Sequence, residues 1–347
     1  MSTASPPVPT LPPRRKLLRA LALLVPLGVA ANIGVALATT DRALLDMLRE
    51  VSWEPVVLAT GLAVFPWFTQ ALRIAIWTRF VGHPVSIAAG VRIAAGGVLG
   101  SAITPTAVGG GSIRWALTTR YGLPPGKAAS LLAVEAVEDV VFFALALPLA
   151  AWLSAPSESE LLRRVGGEVW HRLGGGIWSV AVLASAVAVT VVGMRLAGRG
   201  RLGARAQRLV GRLRGPLRLF RRDARATAGL VARRGKRWFA LSLVCTGLQW
   251  TARYSMAAIV IAALGGPLRP FLYWVLGWLT YVVASGAPTP GAAGATEAAF
   301  LLLHAPFVPA SMLVITTALW RLMMFYVPAL IAAVVYPALR PLAQPPE

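Results

Sequence analysis

The chain has 347 residues, of which 57% are hydrophobic and 14% charged, against about 25% charged residues in an ordinary soluble domain. That much apolar surface exceeds what a water-soluble core can hide and excludes a soluble globular protein. The net charge of +21 is concentrated between apolar stretches, which points to topology and anionic lipid rather than nucleic acid.

Residues 1–16 are rich in Pro, Ser and Thr, read as a disordered cytoplasmic N-terminus, and end in Arg14, Arg15 and Lys16. The apolar run Leu17–Thr39 is longer than the roughly 7–15 residues of a signal-peptide core and is expected to be a retained span. A spanning helix needs about 20 apolar residues. Five further runs meet that length: Pro55–Phe80, Ala128–Leu153, Ile177–Ala197, Phe239–Leu264 and Ser311–Leu339. Two more stretches, Val85–Tyr121 and Pro270–Pro306, are apolar but broken in the middle by Pro and Gly. The expected fold class is an all-α polytopic membrane protein with about six full spans and two broken re-entrant hairpins. Residues 17–153 make a first membrane repeat, 154–176 an external loop, 177–339 a second repeat and 340–347 a cytoplasmic tail.

Segment 195–237 carries 15 cations against one acid, Asp223, so the positive-inside rule places it in the cytoplasm. It reads as a cationic amphipathic segment along the inner leaflet. Gly198, Gly200 and Gly203 within it match a nucleotide-binding spacing, but no strand precedes them and the match is chance. Thr40–Glu54 and Ser154–Gly176 are acidic or balanced and fit outside. Six full spans then put both termini in the cytoplasm, in the inner or plasma membrane of the cell.

The two broken stretches match without a gap. Shifting by 185 residues lays Thr104-Pro105 on Thr289-Pro290, Gly109 on Gly294 and Pro124 on Pro309. The preceding spans share a polar pair, Gln70/Arg73 and Gln249/Arg253. Three full spans per copy invert the second copy relative to the first. Inverted repeats with discontinuous helices are a transporter architecture whose site lies where the copies meet.

The acids outside loops and tails are Glu135, Glu138, Asp139 and Glu297; the comparable cations are Arg73, Arg114, Arg253 and Arg321. A mid-span charge costs about 2.5–3.5 kcal/mol on the insertion scale, so these groups are expected to be paired or to line a wet cavity. Glu135, Glu138 and Asp139 share one helix face by their spacing, with Arg114 the nearest cation. Glu297 and Arg321 are the corresponding pair in the second copy. Ion pairs that lock helices and a substrate or proton role are both open for these groups. The run Gly109-Gly110-Gly111 leads to Ser112, expected to be an N-cap, and then to Arg114. A glycine-rich approach to a helix N-terminus backed by arginine suits a phosphate.

Thr104, Pro105, Gly109, Gly110 and Arg114 in the first half, with Thr289, Pro290, Gly291, Gly294, Glu297 and Arg321 in the second, resemble the motifs of a known family. It is the transmembrane flippase-domain family of the lysylphosphatidylglycerol synthases and their free-standing relatives. Ala292, Ser112 and Ala136 depart from its usual pattern. The resemblance extends from about Leu17 to Tyr336. It implies a free-standing member without the aminoacyl-transferring domain, moving an amphiphilic, anionic or aminoacylated lipid between leaflets. The candidate substrate-binding set is those motif residues together with Ser112, Glu135, Asp139 and Arg253, which the glycine run and the intramembrane charges add. A membrane enzyme acting on a lipid-linked substrate, and a non-transporting partner subunit, are the alternatives. His83, His171 and His304 are isolated and the single cysteine is Cys245, so no metal centre and no cofactor are expected. The expected partners are membrane lipids with anionic headgroups, not nucleic acid, and a homo-oligomer is compatible with the sequence.

Overall fold

The computed structural model describes residues 53–104, 109–154, 229–285, 287, 289 and 291–338, together with 222 and 226. The expected spans Leu17–Thr39 and Ile177–Ala197, the terminal segments, most of 154–176 and of 195–237, and both Pro105 and Pro290 lie outside the described residues. Within them the secondary structure is helical, without strands.

Helix α1 (Trp53–Phe80) leads into a hairpin of α2 (Ile87–Ile103) and α3 (Gly109–Arg120), followed by α4 (Pro125–Leu153). The second half runs α5 (Lys236–Tyr254), α6 (Met256–Ala263), then a hairpin of α7 (Pro270–Ala284) and α8 (Ala295–His304). It ends in a rod of α9 (Ala310–Arg321), a π-helical turn (Leu322–Tyr326) and α10 (Val327–Ala338). Trp53–Phe80 and Ala310–Ala338 are each long and apolar enough to cross a membrane. The 28 residues of α1 extend about 42 Å at 1.5 Å per residue, against a hydrocarbon core of about 30 Å.

The core mixes apolar side chains with buried polar and charged ones, and much of the exterior is apolar. Arg73, Glu138, Ser242, Thr246 and Arg321 are buried, whereas Val140, Leu145, Trp152, Val244 and Val334 are more than half exposed. A soluble protein arranges these classes the other way round. Exposed apolar side chains of this kind are matched by lipid.

The first hairpin closes because glycines line its seam. A Cβ on Gly100 would lie 2.9 Å from the Gly109 carbonyl oxygen, and one on Gly97 2.8 Å from the Arg114 side chain. Small residues at such seams let membrane helices approach closely. Gly100→Ala is therefore expected to destabilise the protein by about 1–3 kcal/mol through overpacking, read as a lower denaturation midpoint in detergent. The Thr104 hydroxyl accepts the Gly109 N–H at 2.9 Å and donates to the Gly100 carbonyl at 2.8 Å. This corrects the expectation for Ser112. The helix already starts at Gly109 because Thr104 supplies the acceptor for its first free N–H, and Ser112 lies exposed inside the first turn.

The second hairpin turns through Gly291, Ala292 and Gly294, all at positive φ. Ala292 at φ 55° carries a left-handed strain of about 1–2 kcal/mol that glycine would not. The two turns meet: the Gly291 N–H donates to the Thr104 carbonyl at 3.4 Å.

Two expected single spans are interrupted. Phe239–Leu264 has a one-residue irregularity at Ser255 between α5 and α6. Ser311–Leu339 contains the π turn, where the Val327 N–H reaches back five residues to the Leu322 carbonyl. Pro328 follows directly and has no N–H to give the preceding turn. The wider turn accommodates that missing bond and inserts one extra residue into the rod.

Candidate functional site

Three helices each contribute one polar stripe to a common junction. On α4, Glu135, Glu138 and Asp139 sit at i, i+3 and i+4 and so share a face. On α1 the stripe is Gln70, Arg73 and Trp77, and on α5 it is Ser242, Thr246, Gln249, Trp250 and Arg253. Arg73 is at the centre. Its Nε and Nη2 donate to Glu138 Oε2 at 3.1 and 2.9 Å, and Nη2 donates to the Glu135 carbonyl at 2.8 Å. Asp139 Oδ1 lies 3.1 Å from the same Nη2.

Glu138 is fully buried and fully used. Its Oε1 accepts the Trp77 indole N–H at 2.8 Å and its Oε2 accepts the Ser242 hydroxyl at 2.9 Å. Glu135 accepts from the Gln70 amide at 3.2 Å and forms an ion pair with Arg114 of α3. Asp139 accepts the Trp250 indole N–H at 2.9 Å and is 30% exposed, which makes it the accessible carboxylate of the three.

Arg253 differs from the other two arginines. Among the described residues it has no carboxylate at ion-pair distance. Its guanidinium instead lies 5.2 Å from the Tyr281 ring centroid and 5.9 Å from that of Trp250. Arg114 also keeps a buried Nε without a hydrogen-bond partner. Both arginines line a cavity of about 310 Å³ at the junction of α1 to α5, the π turn and the start of α10. Gln70, Arg73, Asp139 and Gln249 complete its polar wall, and Trp67, Val98, Phe325 and Pro328 are among its apolar residues. Gly97 and Gly110 bring backbone to the surface of the cavity without side chains.

A second charged group stands behind Phe325. Arg321 is 1% exposed; its Nη2 donates to the Gly291 carbonyl at 2.8 Å and its Nε lies 2.9 Å from Glu297 Oε1. The other Glu297 oxygen accepts the Gly294 N–H at 2.8 Å, which holds the first free N–H of α8. The Arg321 guanidinium stacks over Phe325 at 4.2 Å, and Phe325 packs against Gly291. Arg321 thus holds Glu297 and the turn together, with Phe325 between this pair and the cavity.

The candidate residues therefore divide by place. Gly110, Arg114, Asp139 and Arg253 line the cavity, and Glu135 braces Arg114 from behind it. Thr104 and Gly109 build the first turn, while Thr289, Gly291, Gly294, Glu297 and Arg321 build the second. Ser112 faces away, exposed. Arg73, Glu138, Gln70 and Gln249 belong to the site although the sequence motifs omit them. The signal that finds them is a polar residue recurring every three or four positions within an otherwise apolar span.

Arg321→Lys keeps the charge and loses the two-directional fork to Gly291 and Glu297. It is expected to loosen the second turn, and Arg321→Ala, which leaves Glu297 without its partner, to destabilise the protein further. The readout is a denaturation curve in detergent for each variant.

A family model described as the lysylphosphatidylglycerol synthase TM region matches residues 19–332 of the chain. The chain is also 24% identical over 314 residues to a UPF0104 membrane protein of Archaeoglobus fulgidus, covering 86% of this chain and 92% of that one.

Proposed function

The chain belongs to the family of the lysylphosphatidylglycerol synthase transmembrane region, and from that premise we propose that it is a flippase-like translocator of an amphiphilic lipid. The headgroup is anionic or aminoacylated and occupies the arginine-lined cavity on its way between leaflets. The observation that carries this reading is Arg253, a cavity cation without a carboxylate partner among the described residues, which lines the same 310 Å³ as Arg114. An arginine fork matches a phosphate with two parallel hydrogen bonds. The exposed Asp139 on the same wall supplies a counter-charge for the ammonium of an aminoacylated head. Arg73, already saturated by carboxylates, fixes the wall rather than the ligand.

In this reading each broken hairpin belongs to one half of an inverted repeat, and the two halves touch where the Gly291 N–H meets the Thr104 carbonyl. Both termini and residues 195–237 are cytoplasmic, and the protein resides in the cell membrane. The deciding experiment is reconstitution into liposomes carrying a fluorescent anionic phospholipid in one leaflet. Protein-dependent loss of the leaflet asymmetry is expected. Liposomes containing folded protein that keep their asymmetry as long as protein-free liposomes would exclude translocation.

A further inference from the structure

The charged cavity is not the end of the seam between α1 and the α9–α10 rod. Toward the start of α1 a second hollow of about 250 Å³ opens against α6 and α9, and all nine residues that line it are apolar, among them Val56, Ala59, Ala263, Leu319 and Met323. The two hollows share one stripe of α1. Val56 and Ala59 line the apolar one, and Ala63, Pro66, Gln70 and Arg73 line the charged one. These steps of three or four residues follow one face of a helix. On the rod, Leu319 and Met323 line the apolar hollow, and Met324, Phe325 and Pro328 line the charged one, so the π turn carries residues of both hollows.

A cavity of 310 Å³ lies at the lower end of the range for ligand pockets, about 300–1,000 Å³. It has room for a polar head and not for the chains attached to it. We propose that the apolar hollow holds a hydrocarbon chain of the same lipid whose head occupies the charged cavity, so that α1 binds the amphiphile lengthwise. The proposal rests on the translocator reading above. The hollow adds little affinity, because the bilayer the chain leaves is as apolar as the hollow it enters. Its effect is to fix the direction in which the chain leaves the head.

The test uses the full-length protein in liposomes containing phosphatidylglycerol with a photoreactive diazirine on one acyl chain, followed by peptide mapping of the adducts. Adducts are expected to be several-fold denser on 55–59, 259–264 and 319–323 than at the exposed Leu145 and Leu149 of α4. An excess of unlabelled phosphatidylglycerol should remove that enrichment, and Ala263→Trp, which fills the hollow, should remove it too. Uniform labelling would mean ordinary boundary lipid. An unlabelled hollow would mean that another segment of the chain or of a second copy fills it. Either result overturns the proposal. Should Arg253→Ala abolish transport while labelling stays uniform, the chain site fails and the translocator stands; should wild-type protein move no lipid, the translocator reading itself fails.

Discussion

Arg73→Met is expected to destabilise the protein by about 3–5 kcal/mol, the usual cost of removing one partner from a buried ion pair. Arg73 is 1% exposed and Glu138 is fully buried beside it, so without the guanidinium Glu138 keeps a charge in a low-dielectric interior. Glu135 and Asp139 stand on the same helix face, and their mutual repulsion adds to the cost. The remaining partners of Glu138, the Trp77 indole and the Ser242 and Thr246 hydroxyls, are dipoles and cannot replace a whole charge. The double variant Arg73→Met/Glu138→Gln removes both charges and should recover much of the loss, since a buried pair exchanged for neutral residues is often close to neutral. Denaturation in detergent, followed by tryptophan fluorescence, gives both numbers. A single variant as stable as the wild type would show that the network does not hold α1, α4 and α5 together.

The fold was legible where single residues force a local outcome. Long apolar runs gave α1, α4 and the α9–α10 rod, and the Thr-Pro and Gly breaks gave the two hairpins. The ends of the elements depended on side chains that sequence spacing does not connect. Ser112 has the chemistry of a cap, yet Thr104 reaches across the turn first, and the helix starts at Gly109, four residues before the Ile113 start that a cap at Ser112 would give. The π turn follows from Pro328, but a proline in a long apolar helix is equally compatible with a simple kink. The ion pairs Arg114–Glu135 and Arg321–Glu297 could be anticipated, because a charge within a span needs a partner and few were available. The central role of Arg73 was hidden for the opposite reason: three acids on one helix face offered several pairings, and only the packing of α1 against α4 and α5 selects among them.

Arg253→Ala separates function from stability in a way that Arg73→Met does not. Arg253 has no carboxylate partner among the described residues, so its removal leaves no uncompensated charge there. The expected stability loss is limited to about 1 kcal/mol, the scale of its cation–π contacts with Tyr281 and Trp250. Under the proposed translocator function, transport should suffer far more. A hydrogen bond to a charged group is worth about 1.5–3 kcal/mol, and each 1.4 kcal/mol is a factor of ten, so the rate for an anionic lipid should fall by roughly ten- to a hundredfold. Arg253→Lys keeps a point charge without the planar fork and should fall between the two. The loss should be smaller for a lipid with an uncharged head, because the missing contact is with the anion. Lipid movement at the wild-type rate by a well-folded Arg253→Ala protein would remove Arg253 from the headgroup site. The cavity would then have to be read through Arg114 alone, whose fork is already shared with Glu135.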